Sequence, residues 1–165
     1  MTLALATPGP MLPDLRRMAS DAPALTILAI VLFLGLIPLY AAMTLDPRIF
    51  QGESPWMKPV KFHYALGLYT ISLAFFARYM PAATLKGRPW RWFTAAVLVA
   101  IVAEVVWIAA AAMQNTASHF NTEVPAFAAV YNLMGAFAVL LTSASLVMGI
   151  SVWRNRDSGL APALH

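Results

Sequence analysis

Glu104 is the residue in this sequence that most needs a chemical explanation. It stands near the middle of an apolar run from about Trp92 to Met113. A carboxylate in such a place costs about 2.5 kcal/mol or more and must find a partner, a cavity or a proton. On a helix it shares one stripe with Phe93, Val97, Ala100, Ile108, Ala111 and Asn115, flanked by Trp107. Ala109 to Ala112 thin the following turn, and small side chains let neighbouring helices approach. Glu104 is therefore expected to face protein. Asn132 lies fourteen residues after Ser118, as Glu104 lies fourteen before it, so a hairpin centred on Ser118 would bring the two to one depth. Glu104 then either ties two helices together through Asn132, a bond worth about 0.6–2 kcal/mol in a bilayer, or exchanges a proton or binds a ligand.

A second set of polar residues is expected at the outer surface: Glu53, Lys58, Lys61, His63, Gln114, Asn115, Ser118, His119, Asn121 and Glu123. Lys58 and Lys61 either extend to lipid headgroups or hold an anionic group of a ligand. Lys61 shares a stripe with Ala65, Leu68 and Ser72, whereas His63 faces about 200° away with Gly67, Thr70 and Ala74. His63 and His119 together would suit bis-histidine ligation of a haem b, provided they converge. His119 and Glu123 are four apart, but two ligands do not specify a metal. Cys is absent, which excludes thiolate sites and cysteine nucleophiles. Neither a Ser-His-Asp spacing nor a glycine-rich phosphate loop is present.

Four long apolar stretches must position these groups. The chain is 61% hydrophobic and 11% charged, with a mean hydropathy of +0.71, far more apolar than a soluble domain of this size. The spacing predicts an all-α membrane protein, an up-down bundle of four transmembrane helices at about 24–44, 60–79, 92–113 and 125–153. Residues 1–20 read as a tail, 21–156 as the membrane domain, and 157–165 as a flexible end. Asp21 and Pro23 suit the start of the first helix, and Asn121 or Thr122 the start of the fourth. The rival reading of the first run, after Arg16 and Arg17, is a cleavable signal peptide.

Eight of the eleven Lys and Arg residues flank the apolar runs on one side: Arg16, Arg17, Arg78, Lys86, Arg88, Arg91, Arg154 and Arg156. Arg48, Lys58 and Lys61 lie on the other. This bias predicts cytoplasmic termini in an inner membrane, with Trp56 at the outer interface and Trp90, Trp92 and Trp153 at the inner one. The formal charge of +4 belongs to helix ends and forms no basic stripe, which argues against nucleic acid as a partner.

The segments Pro55-Trp56-Met57-Lys58-Pro59-Val60-Lys61-Phe62 and Ser118-His119-Phe120-Asn121, with Glu104 between them, resemble a pattern in short, uncharacterised bacterial four-helix membrane proteins. The resemblance covers about residues 53–135 and implies location without an activity. The expectation drawn from the residues is an outward-opening polar pocket for a small or amphipathic ligand. Its site residues would be Glu104, Asn132, Lys58, Lys61, His119, Asn121, Trp107 and Gln114. An accessory subunit of a larger complex, or a homo-oligomer, docking through Ser145-x-x-x-Gly149 is a second reading. A haem- or quinone-linked oxidoreductase is a third.

Overall fold

The computed structural model describes residues 15–122 and 124–155. These form six helices: α1 Leu15–Asp21, α2 Pro23–Leu45, α3 Met57–Ala77, α4 Ala82–Lys86, α5 Arg88–Met113 and α6 Pro125–Arg154. The long four, α2, α3, α5 and α6, are each long and apolar enough to cross a membrane, compatible with an integral, multi-pass membrane protein. Among the described residues there is no strand, only one isolated bridge between Phe50 and Glu53.

Large apolar side chains such as Ile27, Val31, Leu34 and Ile37 on α2 and Val139, Leu146 and Val147 on α6 point away from the protein, a distribution that suits lipid and not water. At 30 residues, α6 is about 45 Å long, beyond the ~30 Å hydrocarbon core. The core holds Met18, Leu25, Leu73, Val97, Ile101, Leu141 and Met148.

Polar ties fix how the connections meet. Arg48 Nη1 donates to the Met113 carbonyl at 2.9 Å, so the α2–α3 link caps the C-terminus of α5, where the helix dipole favours a cation. The same Arg48 pairs with Asp46 at 2.6 Å, and Trp56 Nε1 donates to Asp46 at 2.7 Å. The Asp46 carboxyl is held well below the usual carboxylate range, first by the Arg48 bond and then by the Trp56 bond. At the opposite end Asn155 Nδ2 donates to the Tyr79 carbonyl at 2.7 Å, joining α6 to the end of α3. Midway, Tyr69 donates its hydroxyl to the Leu141 carbonyl at 2.7 Å.

Several boundaries differ from those the sequence suggests. Residues 15–20, read as tail, all belong to α1, whose Met18 is completely buried. Asp21 does not cap α2; Ala22 holds that position, and Asp21 pairs with Arg17 at 3.5 Å. Val124 precedes α6 without a side-chain cap, in place of Asn121 or Thr122. The third helix of the sequence reading starts earlier, at Arg88, and α3 starts at Met57 because Pro59 falls in the first turn, where an N–H has no helical partner anyway. The tails 1–14 and 156–165, with Glu123, lie outside the described residues.

Candidate functional site

The site begins with how α3 is phased. Starting the helix at Met57 places Lys58, Phe62, Leu66, Tyr69 and Leu73 on one stripe, the stripe that looks toward α5 and α6. His63, Gly67, Thr70 and Ala74 occupy the next face and meet α2. There His63 Nδ1 lies 3.0 Å from the Pro59 carbonyl, and its ring packs so closely on Gly35 that a Cβ there would stand 3.0 Å from His63 Cδ2. Lys61 is on the outer side with Ala65, Leu68 and Ser72.

The α5–α6 connection supplies the opposite wall. The last carbonyls of α5 are closed by Asn115, at φ 52, and Thr116, whose amides bond Ala112 and Ala111. This is the left-handed helix stop in which asparagine can replace glycine. Trp107 Nε1 donates to the Ser118 carbonyl at 2.7 Å, pinning the loop to α5. Asn121 Nδ2 bonds Thr116 Oγ1 at 3.2 Å and the Ala117 carbonyl at 3.3 Å, bracing the loop from within. Phe120 sits at φ 58, a conformation that costs an aromatic residue about 1–3 kcal/mol. Its ring lies 5.0 Å from that of Tyr131, and His119 leans on the same tyrosine at 6.3 Å.

The loop thereby holds His119 against Lys58, with Nδ1 and Nζ 2.9 Å apart. A lysine ammonium only donates, so Nδ1 accepts and the imidazole carries its proton on Nε2. Ser118 Oγ, buried, is 3.1 Å from the same Nδ1. Burial first, and the positive Lys58 second, push the His119 pKa below its ordinary value, which agrees with an accepting, neutral ring. Lys58 also lies 5.9 Å from the centre of the Phe62 ring, a favourable cation–π arrangement.

Between Lys58 and the loop lies a cavity of about 320 Å³. Lys58, Ser118 and His119 contribute to its polar wall together with Glu53, and Ile108, Ala111 and Ala112 form its α5 side. The second wall comes from the α2–α3 link, where Phe50 and Glu53 exchange backbone bonds at 2.8 and 3.2 Å around Gln51 and Gly52, at φ 53 and 86. Two successive positive φ values define the tight turn in which glycine at the second position is favoured.

Glu104 is one helical turn below Ile108 and 4% exposed, on the stripe with Val97, Ala100 and Ala111. It faces protein. Its Oε2 is buried and accepts no hydrogen bond, and Lys58 is the charged side chain that acts on it, without closing an ion pair.

The expected set of site residues is therefore only partly brought together. Lys58, His119 and Ser118 share the cavity, Glu104 lies beneath it, and Trp107 positions the loop. Lys61 stands elsewhere: it pairs with Glu53 at 3.3 Å in an exposed ion pair. Asn132 is exposed on α6 and makes no hydrogen bond to Glu104. It lies about 200° around the helix from the buried Met134, so equal depth does not place it on the inner face. Gln114 is exposed and bonds back to the Ala110 carbonyl at 3.2 Å. His63 and His119 do not converge on a haem, since one is wedged against α2 and the other is held by Lys58. Among the described residues no three His, Asp or Glu cluster as a metal site would require.

Ser118 as a lining residue and the Asp46–Arg48–Trp56 clasp were missed by sequence reasoning. The Gln51-Gly52 pair was the available signal for the turn between them. Compared with protein-family models, curated proteins and solved structures, the chain has no match.

Proposed function

We propose that this protein binds a small ligand bearing an acidic group in the cavity between Lys58 and His119, and that Glu104 below it takes up or releases a proton as the ligand binds. The observation that carries the reading is the lysine. Lys58 turns inward to a neutral imidazole in place of a carboxylate, so its charge is available to an anion. A carboxylate or phosphate entering the cavity would accept from Lys58 and from the His119 Nε2–H or the Ser118 hydroxyl, charge-assisted bonds of the stronger kind. Glu104 beneath the same lysine would become harder to ionise once an anion is bound, which links occupancy to protonation.

The excess of basic residues at the opposite end supports an outward-facing cavity in an inner membrane, with cytoplasmic termini. Cysteines placed at exposed Thr122 and Thr84 in this Cys-free chain test that orientation: an impermeant maleimide should label Thr122→Cys and not Thr84→Cys on intact cells. Identifying by mass spectrometry what stays bound to protein purified in mild detergent tests the ligand. An acid-bearing small molecule is expected; protein carrying bulk lipid alone would count against the proposal.

A second reading, docking to a partner subunit or another copy, has one supporting observation. Ser145 and Gly149 line an open groove of about 450 Å³ between α3 and α6, and small residues there leave room for a helix. Co-purification in mild detergent tests it.

A further inference from the structure

The end of the bundle remote from His119 carries a second cavity, of about 560 Å³, between the α1–α2 junction, α4 and α5. A smaller hollow of about 370 Å³ adjoins it, and Arg91 and Ala95 line both. Lys86 and Arg91 border the larger cavity, and Arg88 and Arg91 the smaller. All three cations are exposed, and none is paired with an acid among the described residues. Asp21, the acid that lines the larger cavity, is already paired with Arg17 at 3.5 Å. Below the cations the walls turn apolar, with Ala24, Leu85, Ala95 and Leu98.

We propose that this cavity binds one anionic phospholipid from the surrounding bilayer. Lys86 and Arg91, with Arg88 at the rim, hold the phosphate, and one acyl chain descends along Ala95 and Leu98. Lipid is favoured over a soluble anion because the cations are continuous with an apolar trough in a helix that crosses the membrane. Basic pockets between spanning helices select anionic headgroups for the same reason. The site is independent of the His119 cavity at the other end.

The full chain, assembled into nanodiscs of mixed phosphatidylglycerol and phosphatidylcholine of matched chains and then extracted into mild detergent, tests this by the ratio of the two lipids that stay bound. Wild type should retain phosphatidylglycerol preferentially. Arg91→Gln and Lys86→Gln, both at exposed positions, should each lower the ratio about fivefold, corresponding to about 1 kcal/mol per cation near the surface. Lys61→Gln, at the other end, should leave it unchanged. An unchanged ratio in Arg91→Gln and Lys86→Gln, or an equal fall in Lys61→Gln, would overturn the proposal. Displacement of the bound lipid by inorganic phosphate would assign the site to free phosphate and overturn it as well.

Discussion

Lys58 Nζ, in the first turn of α3, stands 2.9 Å from Nδ1 of His119 in the α5–α6 connection. The contact joins two segments that are 61 residues apart and defines which face of the imidazole is free. It also sets the sign of a pH effect. His119 is held below 6.5 by burial and then by Lys58. As pH falls through this range the unfolded chain binds the proton first, so the contribution of His119 to stability is whole above about 6.5 and is lost progressively below it. The stability difference between wild type and His119→Gln should therefore shrink or reverse between about pH 7.5 and about pH 5.5. Thermal unfolding in detergent measures it; a difference that grows on acidification would contradict the geometry.

Glu104 separates a structural from a chemical role. Its buried Oε2 has no partner, so Glu104→Met, of similar size, removes no hydrogen bond at that oxygen. The variant should unfold at the same temperature or higher, with a gain of up to about 1–3 kcal/mol from relieving an unsatisfied polar atom. Proton release or uptake on ligand binding should disappear. A clear loss of stability would mean that the carboxyl holds helices together after all.

The α2–α3 seam depends on absent side chains. A Cβ on Gly67 would stand 3.0 to 3.3 Å from three atoms of the Phe33 ring. Gly67→Ala should cost about 1–3 kcal/mol through overpacking. Gly135, on the exposed side of α6, has nothing within 4 Å of such a Cβ, and Gly135→Ala should be neutral or stabilising, by up to about 1 kcal/mol. Parallel melting curves compare the two; equal effects would contradict the packing of Phe33.

The long helices were legible in the sequence because a membrane demands runs of about 20 apolar residues and little else in a short chain looks like that. Glu104 was legible for the complementary reason, since its stripe of Val97, Ala100, Ile108 and Ala111 permits one inner face. The choice of Lys58 over Lys61 was not. It rests on where α3 begins, and Pro55 and Pro59 obscured that start although a proline in a first turn breaks nothing. Asn132 illustrates the other limit: counting residues from a loop gives depth, whereas the rotation of α6 about its own axis depends on Met134, Leu141 and Met148 finding the core. Met18 lies in a stretch too short and too polar to read as a buried helix, and it is ordered by what it packs against.

The central claim is tested most directly by comparing two lysines three residues apart. Wild type, Lys58→Met and Lys61→Met, purified side by side in mild detergent, should differ in the small molecules that native mass spectrometry finds attached. An acid-bearing species should be present on wild type and on Lys61→Met and missing from Lys58→Met, because Lys58 lines the cavity and Lys61, exposed and paired with Glu53, does not. Retention of the species by Lys58→Met, or its loss from Lys61→Met alone, would contradict the account.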